Sequence, residues 1–321
     1  MGRMRRLDGL RGVLAVYVMM GHALPFTDVP GWVAGCFQHG EGAVNLFFAL
    51  SGLVIMNSLE RFGGAFWPFM RGRALRLLPV YFLVLGGSVA LLLAGDPLVA
   101  MPWVGTAGRE IMEPVAPPDF VWHLLAHIFL VQGLIPQAVL PYAALTLLGV
   151  AWSLSAEWQF YVLAGVASPR RRAVLAVGLL AMGLVYRLAH VAIFSKAFLL
   201  YPAPYFALGL GSAMLLRGEG SWVFYLCLAG AVVSGLLAGP EKALVPLAWA
   251  VIMLAQFHTF GAVLEHRALQ FLGAISYPLY LINEPMQRAM AMVVLLFTHG
   301  SALAFSLAWL PLSIVLSLAA A

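Results

Sequence analysis

The sequence predicts an all-α, polytopic membrane protein of about ten transmembrane helices, with both termini in the cytoplasm. Three observations carry this. Of 321 residues, 63% are hydrophobic and only 10% charged, and mean hydropathy is +0.94. A soluble domain is nearer half apolar and a quarter charged. The sparse charges punctuate apolar stretches of roughly 17–25 residues, the length that crosses a bilayer. Lys and Arg also crowd onto alternate loops, as the positive-inside rule requires.

The first span is 7–26, behind Arg3, Arg5 and Arg6. A cleaved leader is the other reading of this segment, but Asp8 and Arg11 interrupt it and no small-x-small cleavage site follows. The second span is 42–59. A basic loop with Arg61, Arg71, Arg73 and Arg76 precedes the third, 77–94. An outer loop rich in Pro and Gly then covers 95–119. Residues 120–135 are apolar but short, and counting them as a span would put Arg170, Arg171 and Arg172 outside. They read as an interfacial or re-entrant helix, with Trp122, His123 and His127 in the headgroup region. The remaining spans are 143–167, 173–194, 198–216, 222–237, 243–260, 269–287 and 301–320.

In this arrangement Arg217 and Arg267 also lie inside. Only Arg109, Lys196, Lys242, Arg288 and Arg187 fall on the outer side. The acids Asp28, Glu41, Asp96, Glu110, Glu113, Asp119 and Glu241 lie outside. The chain reads as a single integral-membrane domain, 1–321. The net charge of +5 therefore belongs to membrane topology, and a nucleic-acid partner is excluded. Two cysteines, Cys36 and Cys227, build neither a disulfide framework nor a cysteine zinc site. The His123/His127 pair lacks further ligands, so no metal site is expected. Walker A, dinucleotide and Gly-x-Ser-x-Gly patterns are absent, and Gly209-Leu210-Gly211 suits helix packing.

Ionisable groups within spans are costly and point to function. Arg11 and His22 are eleven residues apart, so they share a helix face roughly 16 Å apart along the axis. Arg11 reads either as a snorkelling arginine or as a site residue. His22 reads as a structural histidine or a reactive one. Arg73 and Arg76, three apart, point the same way; they suit a phosphorylated ligand or plain anchoring. Glu157 lies thirteen residues before Arg170, roughly 20 Å into the membrane, where a carboxylate needs a partner. Ser276, Tyr280 and Asn283 form one polar stripe, with Glu284 at the outer boundary. Asn45 and Ser51 suit interhelical hydrogen bonds.

Five blocks, in order, resemble the acyltransferase family 3 membrane proteins. They are Arg6-Leu7-Asp8-Gly9-Leu10-Arg11-Gly12 with His22; Asn45-Leu46-Phe47-Phe48-Ala49-Leu50-Ser51-Gly52-Leu53-Val54-Ile55; Arg73-Ala74-Leu75-Arg76-Leu77-Leu78-Pro79-Val80-Tyr81; Trp152-Ser153-Leu154-Ser155-Ala156-Glu157-Trp158-Gln159-Phe160-Tyr161; and Ser276-Tyr277-Pro278-Leu279-Tyr280-Leu281. The resemblance implies an enzyme of about ten helices in a bacterial inner membrane. It implies transfer of an acyl group, acetyl from acetyl-CoA, onto a hydroxyl of a carbohydrate, glycoside or lipid-linked sugar. Acyl-CoA is then a donor substrate, and no cofactor is bound permanently. The family's Arg-x10-His maps onto Arg11 and His22, and its Arg-x-x-Arg onto Arg73 and Arg76. Where the family often has His, this chain has Asn283. The hydrolase-like C-terminal domain of some relatives is not expected here.

The chemistry follows from that resemblance. A neutral imidazole, His22, serves as base for the attacking hydroxyl, with Glu157 as the partner that orients it. Arg73 and Arg76 hold CoA phosphates at the inner face, and Arg11 contacts CoA or developing negative charge. Direct transfer and a transient acyl-His22 both remain open. A secondary transporter using the same Arg, His and Glu as a proton relay is the rival reading. It calls for matching broken helices in two halves, whereas Pro202, Pro204, Pro278 and Pro285 all lie in the second.

Overall fold

Backbone amides in a lipid core have no water to pair with, so apolar stretches close their own hydrogen bonds as helices. The computed structural model describes residues 5–95, 101, 103–104, 117–167, 171–190 and 192–321. Arg3, Asp96, Arg109, Glu110, Glu113 and Arg170 lie outside the described residues. Among the described residues the chain forms α1 (Arg5–Ala23), α2 (Gly31–Gly35), α3 (Gly40–Arg61), α4 (Phe66–Ala94), α5 (Phe120–Ile128), α6 (Ala151–Val166) and α7 (Arg172–Leu188). There follow α8 (Ala203–Leu216), α9 (Ser221–Ala238), α10 (Leu244–Ala255), α11 (Arg267–Ala274), α12 (Ser276–Thr298) and α13 (Ala302–Ala320).

Five stretches are long and apolar enough to cross a membrane: Arg5–Phe26, Gly31–Arg61, Phe66–Ala94, Ser221–Ala238 and Ala302–Ala320. A sixth is Pro240–Ala255 with Thr259–Glu265, bent by 96°, if the pair is one span. Large apolar side chains such as Leu83, Val166, Phe297 and Leu307 point outward and stay exposed, as an integral membrane protein requires.

By this measure the described residues hold five or six of the ten expected spans, and the other segments differ for local reasons. Residues 143–150 turn instead of coiling, so the span expected at 143–167 starts at Ala151. Gly133, Pro136, Pro141 and Gly149 crowd this region, and Leu130, Tyr142 and Leu147 take positive φ. Non-helical backbone is tolerated at depth only where protein satisfies it. Here Tyr81 Oη donates to His127 O at 2.9 Å, Ser155 Oγ to Leu130 O at 2.9 Å, and Ser88 Oγ to Leu147 O. The segment expected at 269–287 breaks at Ile275, and α12 continues to Thr298. The helix expected from 77 instead begins at Phe66, which puts Arg71, Arg73 and Arg76 on α4.

The centre of the bundle is α8, buried on every side from Ala203 to Met214, as expected of a helix apolar all round. It crosses α3 at Gly52 and Gly209, where a Cβ on either would run into the other helix's backbone. Trp249 of α10 donates to Ser212 Oγ at 2.8 Å.

One end of the bundle gathers most of the charge. Arg6 Nη1 donates to the carbonyls of Ala255, Gln256 and His258 at 2.6, 3.0 and 2.9 Å, and its Nε pairs with Glu265 at 2.8 Å. Arg172 bridges Glu60 and Glu219 at 2.8 and 2.9 Å, and Arg217 pairs with Glu60 at 2.8 Å. The Glu60 contacts put the end of α3, the start of α7 and the end of α8 together, and one cavity lined by Leu7, Asp8, Arg11, Arg61 and Arg217 brings the start of α1 to the same side.

Candidate active site

The charged end opens into a wide mouth of about 1340 Å³. Five arginines line it, Arg11, Arg61, Arg73, Arg76 and Arg217, against three carboxylates, Asp8, Glu60 and Glu219. The excess of guanidinium suits a polyanion. Arg217 and Glu60 are tied to each other, and that hydrogen bond raises the affinity of Arg217 for its proton.

A narrow pocket of about 90 Å³ continues into the bundle between α1, α3, α4, α6 and α12. Arg11, Arg73 and Arg76 line both spaces, so the pocket and the mouth share their arginines. The two members of the Arg-x-x-Arg pair are not equivalent. Arg76 is exposed, whereas Arg73 is 7% exposed. Its guanidinium lies 5.6 Å from the Phe69 ring centroid and 5.1 Å from that of Tyr161, a double cation–π arrangement.

Glu157 faces the arginines from α6. Its Oε1 accepts from Ser51 Oγ of α3 and from Tyr161 Oη one turn along its own helix. Two hydroxyl donors and the Arg11 and Arg73 side chains in the same pocket give this carboxyl group polar partners in place of water. The walls above are apolar: Val44, Phe47, Phe48, Leu154 and Leu281. The far end is closed by Ser153 and Tyr280, whose hydroxyls are 2.9 Å apart, with Tyr280 Oη also donating to Val150 O at 3.1 Å. Tyr277 Oη donates to Leu77 O at 2.8 Å and ties α12 to α4 beside the pocket. Pro285 has no N–H, so the Leu281 carbonyl at the pocket wall lacks its usual helical donor.

His22 sits in the last turn of α1, beyond the far end of the pocket and not on its lining. Its Nδ1 donates to Asn283 Oδ1 at 3.0 Å. The Asn283 Nδ2 donates to Tyr280 O at 2.6 Å and to Leu279 O at 3.2 Å. The expected partnership of His22 with Glu157 is therefore replaced. Glu157 belongs to the arginine end, and Asn283 is the group beside His22. The reason is axial distance: Arg11 and His22 share α1 but lie eleven residues apart, and Glu157 faces the Arg11 level. Arg11, Arg73, Arg76 and Glu157 are thus brought together, and His22 stands apart from them.

Sequence reasoning gave no role to Asn283, Tyr161 or Tyr277. The stripe Ser276, Tyr280, Asn283 was a signal for the first, since its other two members line the pocket. Glu284, expected at the outer boundary, is 9% exposed and pairs with Arg288 at 3.0 Å one turn on. His123 and His127 are engaged locally: Thr146 Oγ1 is 2.7 Å from His123 Nδ1, and His127 Nδ1 donates to His123 O at 2.9 Å. Among the described residues no three His, Cys, Asp or Glu side chains converge as metal ligands.

Comparison with known proteins bears on what this arrangement does. A family model described as an acyltransferase domain matches residues 4–321. Protein 2 in the picA locus of Rhizobium radiobacter is 30% identical over 155 residues, which cover 47% of this chain and 75% of that protein. No solved structure matches the chain.

Proposed function

The chain belongs to this acyltransferase family, and from that premise we propose that it moves an acyl group, acetyl from acetyl-CoA, onto a hydroxyl of a carbohydrate, glycoside or lipid-linked sugar. It does so as one integral-membrane domain of a bacterial inner membrane, with both termini and the arginine-lined mouth on the cytoplasmic side. The observation that carries the reading is an arginine-rich mouth and a pocket inside the bundle that share Arg11, Arg73 and Arg76, with Tyr280 and Leu281 of the pocket on the same helical turn as Asn283, the partner of His22.

Arg76 and Arg73 hold the CoA phosphates, Arg73 from the deeper position. Arg11 contacts the donor near its thioester and Glu157 keeps the guanidinium groups in register. His22 accepts the proton of the acceptor hydroxyl as its oxygen attacks the thioester carbonyl. The tetrahedral oxyanion collapses, the C–S bond breaks, and the CoA thiolate takes the proton back from the His22 imidazolium. A low-dielectric site strengthens each of these electrostatic contacts. Incubating purified protein with radiolabelled acetyl-CoA and membrane glycans tests the reading. Label on a glycan hydroxyl is expected; label that stays entirely on CoA or is merely transported into vesicles overturns it.

A further inference from the structure

We infer that Asn283 is a positioning residue that fixes the tautomer of His22, leaving Nε2 as the free base. This rests on the reading of His22 as the base and deepens it. Asn283 is fully buried on α12 and its amide has only one workable orientation. The NH2 group faces two carbonyl oxygens, Tyr280 O at 2.6 Å and Leu279 O at 3.2 Å. Turning the amide over would set its oxygen against both of them, with no hydrogen between.

The oxygen must therefore face His22, 3.0 Å from Nδ1. An amide oxygen only accepts, so the hydrogen lies on Nδ1. In a neutral imidazole that leaves Nε2 as the lone-pair nitrogen. Free histidine prefers the opposite tautomer, with the hydrogen on Nε2 and no base there. The helix carbonyls thus set the amide, the amide sets the ring, and the ring presents its base away from α12. A second contact holds the same pair of helices in register, Gln287 Nε2 donating to Met19 O at 3.0 Å. When His22 takes a proton from the acceptor, Nδ1–H keeps its partner and nothing has to turn.

Two variants separate positioning from mere helix support. Asn283→Leu loses both the donor to Tyr280 O and the acceptor for Nδ1, whereas the carboxyl introduced by Asn283→Asp, when protonated, can donate to Tyr280 O and keep an acceptor oxygen for Nδ1. General-base catalysis contributes roughly 100- to 10,000-fold. Asn283→Leu should then lower kcat about 100-fold with the donor KM unchanged, while Asn283→Asp should stay within about ten-fold of wild type. Nitrogen-15 spectra of the purified wild-type protein, with His22 assigned by its loss in His22→Ala, give a readout that needs no Asn283 variant to fold. They should show the hydrogen on Nδ1.

Wild-type kcat in Asn283→Leu overturns the inference while His22→Ala remains inactive, and so do equal losses in Leu and Asp or a hydrogen on Nε2. Transfer by His22→Ala itself is a different failure, because it overturns the base assignment on which the inference stands.

Discussion

Arg73→Ala is the perturbation that tests the site most directly, because Arg73 combines a packing role that Arg76 lacks with the donor contact proposed for both. It is buried, with Phe69 and Tyr161 rings at 5.6 and 5.1 Å from its guanidinium. A cation–π contact is worth about 0.5–2 kcal/mol, more when desolvated, so losing both destabilises the fold by roughly 1–3 kcal/mol. That lowers the melting temperature in detergent on the order of 5 °C. A charge-assisted hydrogen bond to a phosphate contributes about 1.5–3 kcal/mol, so donor affinity should fall roughly 10- to 150-fold. Arg76 is exposed, and Arg76→Ala should leave the melting temperature alone. Its loss of donor affinity should be smaller, roughly two- to ten-fold, and should shrink further as salt screens the exposed charge. Arg73→Lys keeps the charge but not the planar fork, so it should not restore wild-type affinity. The assay is acetyl-CoA titration of each purified variant at low and high salt, paired with a thermal melt. Unchanged melting temperature and unchanged donor affinity in Arg73→Ala would falsify the argument, as would full rescue by Lys.

Other expectations are independent of that one. In sealed vesicles acetyl-CoA should support transfer only from the face bearing the arginine mouth, and a non-permeant thiol reagent should label the exposed Cys36 only from the opposite face; labelling of Cys36 from the CoA side refutes the topology. Phe47 lines the upper pocket, so Phe47→Ala should raise the butyryl-CoA to acetyl-CoA rate ratio at least about ten-fold, since one methylene in an apolar pocket is worth roughly 10- to 200-fold; an unchanged ratio shows that the pocket does not hold the acyl chain.

What could be read from the sequence was whatever is local along one helix. Arg11 and His22 are on one α-helix because their spacing and apolar surroundings allow nothing else, and Arg73 and Arg76 face one way for the same reason. Gly209 was legible as a packing residue because small residues mark close helix crossings. The start of α4 was not legible. A run of arginines reads as a loop by hydropathy, yet here those arginines line a pocket, so the helix carries on beneath them. The turns at 130–150 were hidden because apolarity reports burial, not periodicity, and their backbone is satisfied by Tyr81, Ser88 and Ser155 from two other helices. The pairing of His22 with Asn283 joins residues 261 apart, and nothing in a single chain announces such a contact. Glu157 was expected to need a partner in the membrane, and the groups that bond it are Ser51 and Tyr161.

The clamps on α1 have a consequence for how the protein is made. Helix α1 is held largely by residues 255–287: Arg6 by 255–265, Arg5 O by Gln270 at 2.6 Å, His22 by Asn283 and Met19 O by Gln287. Ribosomes add about 5–20 residues per second, so α1 waits roughly 13–50 s in the bilayer before those partners emerge. During that interval Arg6 and His22 have none of the contacts that orient them, and the nascent helix must be sheltered by the insertion machinery or by lipid headgroups. A chain stopped before residue 283 carries His22 without its Asn283 partner. On the proposed reading, the surroundings of His22 are therefore complete only once α12 has been made.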